Sequence, residues 1–136
     1  MRYMIIVKAT PASETGIFPP HMPELMAAMG TFHEELARAG VLLDAAGLAP
    51  SAQGWRIRYD GKARHVIDGP FAESKALIAG YTLIQVRSRD EALEWARRYP
   101  NPVGEGMAAE IEVRRLYEET DFASVMEGAA SCSKAA

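Results

Sequence analysis

The stretch Tyr3-Met4-Ile5-Ile6-Val7 is apolar at every position. A strand with one solvated face alternates apolar and polar residues, so an unbroken apolar run needs cover on both faces and a place inside a sheet. A second such run, Tyr81 to Val86, opens after Gly80. Between these two central strands and beyond the second, the apolar pattern has helical period. Leu25, Met29, Phe32, Leu36 and Ala39 recur at spacings of four and three, and Ala92, Trp95, Ala96 and Tyr99 form a second stripe. Pro23 suits a first helical turn and Gly40 a left-handed C-terminal cap before a strand at Val41 to Asp44. Ser88 with Glu91 reads as a capping box, and Pro100 stops the helix that follows.

The closing strand, Ala109 to Arg115, alternates Ile111 and Val113 with Glu110, Glu112 and Arg114, as at an edge facing solvent. Thr10 to Pro20 and Asn101 to Gly106 read as loops. Trp55, Ile57 and Tyr59 alternate with Arg56 and Arg58 before Asp60-Gly61, the favoured two-residue hairpin turn. That turn predicts Tyr59 opposite Lys62, Arg56 opposite His65 and Trp55 opposite Val66. The order β-α-β, hairpin, β-α-β predicts an α+β fold, a split βαβ sheet of ferredoxin-like type with an inserted β-hairpin. Two helices cover one sheet face, so the second face is expected to pack on another subunit, giving a homodimer.

The chain has 136 residues, enough for one domain burying roughly two-thirds of its unfolded surface. Residues 1–116 form the expected domain, and 117–136 a short extension or frayed helix. With 15 Lys plus Arg against 18 Asp plus Glu, the net charge of −3 lacks the basic excess that binds phosphate backbones, so nucleic acid is not an expected partner. No apolar run approaches membrane-spanning length and no signal-peptide pattern opens the chain, which predicts a cytoplasmic protein without membrane association. Cys132 stands alone, excluding an intramolecular disulfide.

Asp68-Gly69-Pro70-Phe71, continuing Ala72-Glu73-Ser74-Lys75, sets a carboxylate at a strand end against a sharp turn and an aromatic. An ordinary turn with a buried aromatic anchor and the rim of a site both fit. Asp44 ends another strand, and burial of either carboxylate would raise its pKa into acid/base range, whereas a turn-capping Asp68 would be held ionised. Imidazole is the natural base near neutral pH. His21 sits at a loop-to-helix junction, where capping is the default role. His33 follows Phe32 at the margin of the helix stripe, under the sheet or looking into a cleft. His65 lies three residues before Asp68, an odd offset that points the two side chains to opposite faces, and Arg56 beside it would favour neutral imidazole. Metal-ligand spacings and a phosphate-cradling glycine loop are both lacking, so no metal, nucleotide or flavin cofactor is expected.

The run DGPFAESK, with MRYMIIVKA, FHEELARAGVLL, GYTLIQV and SRDEALEWARRYP around it, resembles the DGPF branch of the YCII-related family over Arg2 to about Leu116. The resemblance implies a ferredoxin-like fold, a dimeric α/β-barrel type assembly through the sheet, and a small-molecule cleft. It also implies cofactor-free acid/base chemistry by a His–Asp pair in some members, dehydrochlorination among them. Asp68 is then the expected acid or base, with His33, His65 or Asp44 as partner, and Phe71, Glu73, Lys75, Tyr81 and Arg56 orient a ligand. Counting back from Gly40, the helix position at which the resemblance implies a histidine holds Met29, and His33 lies one turn later. Because relatives accompany sigma-factor-like domains, a non-catalytic ligand-binding or regulatory module with a transcription partner is the alternative.

Overall fold

A computed structural model describes residues 1–72 and 74–135, with side chains for all of these but 74 and 129–135. Strands β1 (Arg2–Lys8), β2 (Leu42–Gly47), β5 (Ile78–Gln85) and β6 (Ile111–Arg115) form one sheet in the order β2-β5-β1-β6. Every neighbouring pair in it is antiparallel. The two unbroken apolar runs are its two central strands, and β6 is an edge. Helices α2 (Met22–Arg38) and α3 (Arg89–Arg97) make the two crossovers, completing an α+β domain with split βαβ order.

Alternation along the central strands divides the sheet into two faces. Tyr3, Ile5, Ile84 and Val86 are buried against Phe32 and Leu36 of α2 and Ala92 of α3. The Phe32 ring meets Tyr99 edge-on at 5.2 Å and Trp95 at 6.1 Å, so the two helical stripes interlock through aromatics. Met4, Ile6, Tyr81 and Leu83 point the other way and are half-buried. Gly40 caps α2 at φ +74° as the sequence predicts; at the start of α3 the Ser88 side chain accepts from Glu91 N, but the Glu91 carboxylate accepts from Arg87 N rather than Ser88 N, so only half of the expected capping box forms.

Within the expected Thr10–Pro20 loop lies a one-turn helix, α1 (Pro11–Glu14), closed by reciprocal Thr10–Ser13 bonds. Four residues are too few for apolar periodicity to reveal. The hairpin strands β3 (Trp55–Asp60) and β4 (Ala63–Asp68) form a separate two-stranded sheet. Its register corrects the sequence reading: Asp60 opposes Ala63, Arg58 opposes His65, Arg56 opposes Ile67 and Trp55 opposes Asp68. The loop is therefore Gly61-Lys62. Gly61 alone takes a positive φ, +59°, the pattern of a turn needing glycine only at its first central position. The expected Asp-Gly pairing would put Asp60 there as well. The two-residue slip leaves each side chain on its expected face.

Residues 119–135 form a further helix, α4 (Glu119–Ala135). Among the described residues, no helix is long and apolar enough to cross a membrane.

Candidate functional site

The turn after β4 is held chiefly through its backbone. Gly69 N donates to Gly54 O at 3.0 Å, and the Gly69–Pro70 peptide is cis. A Cβ on residue 69 would stand 1.8 Å from Ser51 O, so only glycine fits this approach. Phe71 N donates to Ser51 Oγ at 3.0 Å, while Ser51 N donates to Glu14 Oε1 at 3.0 Å and the Ser51 hydroxyl to the other carboxylate oxygen of Glu14. The Arg56 guanidinium lies 3.8 Å over the Phe71 ring. The turn is thus clamped between α1, the Ser51–Gln53 helical turn and β3. Glu14 and Ser51 escaped the sequence reading because their contacts span 37 and 20 residues, with no local pattern to mark them.

Asp68 itself is exposed at the end of β4, on the hairpin face of Trp55. His65, also exposed, occupies the opposite face across from Arg58. Lys75 is exposed on the short helical turn Ser74–Ala76, and Glu73 lies outside the described residues.

Strand β5 carries polar groups on both faces. On the helix side Thr82 is fully buried, and its Oγ1 lies 2.9 Å from His33 Nε2. The Tyr99 hydroxyl also interacts with Thr82. The Thr82 hydroxyl has one proton and two lone pairs, so it can donate to only one of these two neighbours at a time. Burial pushes the His33 pKa below its usual 6.5, favouring neutral imidazole. Burial likewise raises the Tyr99 pKa, opposed by its interaction with Thr82. On the open side, Tyr81 OH donates to Asp44 Oδ2 at 2.9 Å, and the carboxylate raises the tyrosine pKa. Asp44 and Asp68 therefore belong to different sheets. Thr82 had a legible signal, since it alternates with Gly80 and Ile84 on the buried face, but its link to His33 spans 49 residues.

Met29 is half-buried beside the core. His21 Nε2 lies 2.8 Å from Val103 O; a carbonyl only accepts, so this nitrogen carries the proton and ties the 101–106 loop to the start of α2. His33 is thus the histidine held at the helix–sheet interface by a buried hydroxyl. A half-buried imidazole, desolvated and oriented in this way, suits proton abstraction or donation at neutral pH.

Fold and site together define a one-sided α+β sheet protein with a hydrogen-bonded histidine between sheet and helices. The chain belongs to the YCII-related domain family, which it matches over residues 1–117. It is 31% identical over 100 residues to an uncharacterized protein of Rhizobium meliloti (strain 1021), covering 74% of this chain and 81% of the relative. Among solved structures it is similar to 5-chloro-2-hydroxyhydroquinone dehydrochlorinase of Burkholderia phenoliruptrix AC1100 in complex with 2,5-dihydroxybenzoquinone. That similarity has a TM-score of 0.44 and 14% identity, covering 87% of this chain and 95% of the other.

Proposed function

We propose that the chain is a homodimer that binds a small polar or aromatic molecule beside His33 and moves a proton on it without a cofactor, in an elimination or isomerisation. The observation that carries this reading is the His33–Thr82 pair, a desolvated imidazole fixed by a fully buried hydroxyl. His33 is the base, and Thr82 with Tyr99 positions it. The open sheet face of Met4, Ile6 and Leu83 is the pairing surface, in the manner of a dimeric α/β barrel, with Tyr81 and Asp44 within it. A ligand-binding module that serves a sigma-factor-type transcription partner without turnover is the second reading. Its support is that Asp68 stands exposed, on the hairpin face opposite His65.

The test is a panel of small hydroxylated aromatic and polar compounds, screened first by thermal shift and then for turnover. A ligand at 100 times its Kd stabilises the fold by about 2.7 kcal/mol. His33→Gln keeps a hydrogen-bonding group and should lower turnover by roughly 10²-fold or more while Tm changes little. Turnover surviving His33→Gln would remove this residue from the chemistry; binding without turnover would favour the second reading.

A further inference from the structure

Helix α4 and the β3–β4 hairpin are each elements that rarely persist alone in water. A helix in a protein draws most of its stability from packing an apolar face, and a lone two-stranded hairpin is marginal. Both nevertheless expose aligned apolar side chains. On one hairpin face Trp55 and Tyr59 are each 65% exposed, with Ile57 between them and Val66 across from Ile57. On α4, Phe122, Val125 and Met126 recur at helical spacing and are also exposed, and the Tyr117 ring meets Phe122 at a tilt with centroids 4.9 Å apart.

The start of α4 is aimed by fixed contacts. Arg115 holds Asp121 through two bonds, of 3.0 and 3.3 Å, Arg2 holds Glu118 through two of 3.1 Å, and Glu118 N donates to Asp121 at 2.7 Å. An open groove lined by Arg2, Tyr117, Glu118 and Phe122 lies beside this junction. The two elements also differ in charge. The hairpin carries Arg56, Arg58, Lys62 and Arg64 against Asp60 and Asp68, four bases less two acids. The segment from Tyr117 to Gly128 carries Glu118, Glu119, Asp121 and Glu127 and no base.

We infer that α4 is an exchange arm, packing its apolar stripe on the apolar face of the hairpin of a second copy of this chain. The two surfaces leave each other uncovered within one chain. Between two copies related by a two-fold axis, each arm meets the other copy's hairpin, so the contact occurs twice and the assembly closes. One contact covers on the order of 900 Å² of side-chain surface counted on both sides, given roughly 150–250 Å² for a large aromatic. Two bring the total to within the roughly 1,200–2,000 Å² of a stable pair. On the docking face of the hairpin Arg64, over the Tyr59 ring, is accompanied by Asp68, and two of the arm's acids are paired with Arg2 and Arg115, so charge adds little to an apolar contact.

The inference deepens the proposed pairing and is separable from it. Two full-length chains, both Cys132→Ser, are mixed after one receives Trp55→Cys and the other Val125→Cys, and are then oxidised. Circular dichroism checks that each remains folded. The expected product is a covalent heterodimer, and Val125→Lys in otherwise native chain should raise the dimer Kd at least tenfold by sedimentation. A native dimer that gives no cross-link and ignores Val125→Lys overturns the arm contact and leaves sheet-face pairing standing. A native chain that sediments as a monomer at tens of micromolar overturns both.

Discussion

The Asp68–Phe71 turn is held chiefly through its backbone, whereas the His33–Thr82 pair is bonded through side chains at the helix–sheet interface. The first is conspicuous in sequence and the second is not. In the turn, Gly69 meets a close backbone approach, Phe71 offers its N–H and its ring, and Asp68 remains exposed. In the pair, burial lowers the pKa of the imidazole, so protonation rather than packing distinguishes it. A motif that the fold needs for shape and a residue placed for chemistry should therefore respond differently to replacement.

The largest effect is expected at Gly69. Gly69→Ala drives a Cβ against Ser51 O and should cost roughly 3 kcal/mol or more in urea unfolding. Gly30→Ala, in the exposed helix interior with open space around it, should instead gain about 0.5–1 kcal/mol. Equal effects at the two glycines would mean that the turn is not clamped. Next comes Thr82→Val, which keeps shape but strips the buried hydroxyl from His33 and Tyr99, at about 1–3 kcal/mol. Ser51→Ala removes the link between Glu14 and Phe71 N from a half-buried position and should cost about 1 kcal/mol. The smallest change belongs to Asp68→Asn, within about 0.5 kcal/mol for an exposed side chain of the same size that keeps an oxygen acceptor. A collapse of Tm in Asp68→Asn would make that carboxylate part of the clamp.

Much of this fold is written in local pattern. The unbroken runs at Tyr3–Val7 and Tyr81–Val86 are the central strands because only doubly covered strands dispense with polar alternation. Phe32 and Leu36 face the sheet as their spacing requires, and Gly40 takes its left-handed cap. The hairpin register was ambiguous because Asp60-Gly61 and Gly61-Lys62 both make two-residue loops with glycine at a permitted place. The candidate site was less legible than the fold. Its histidine was among the named candidates, but the bond to Thr82 depends on how α2 lies across β5, which no short-range pattern records.

Burial beside Thr82 keeps the His33 imidazole neutral, and an NMR titration of the His33 ring measures this directly. With its folded pKa lowered, His33 contributes stability that is present above its usual 6.5 and is lost as pH falls below that value toward the folded pKa. The expected result is a ring midpoint below 6.5 and an acid-side loss of stability that shrinks in His33→Gln. A midpoint at or above 6.5, with the same acid-side stability profile in wild type and His33→Gln, would contradict it.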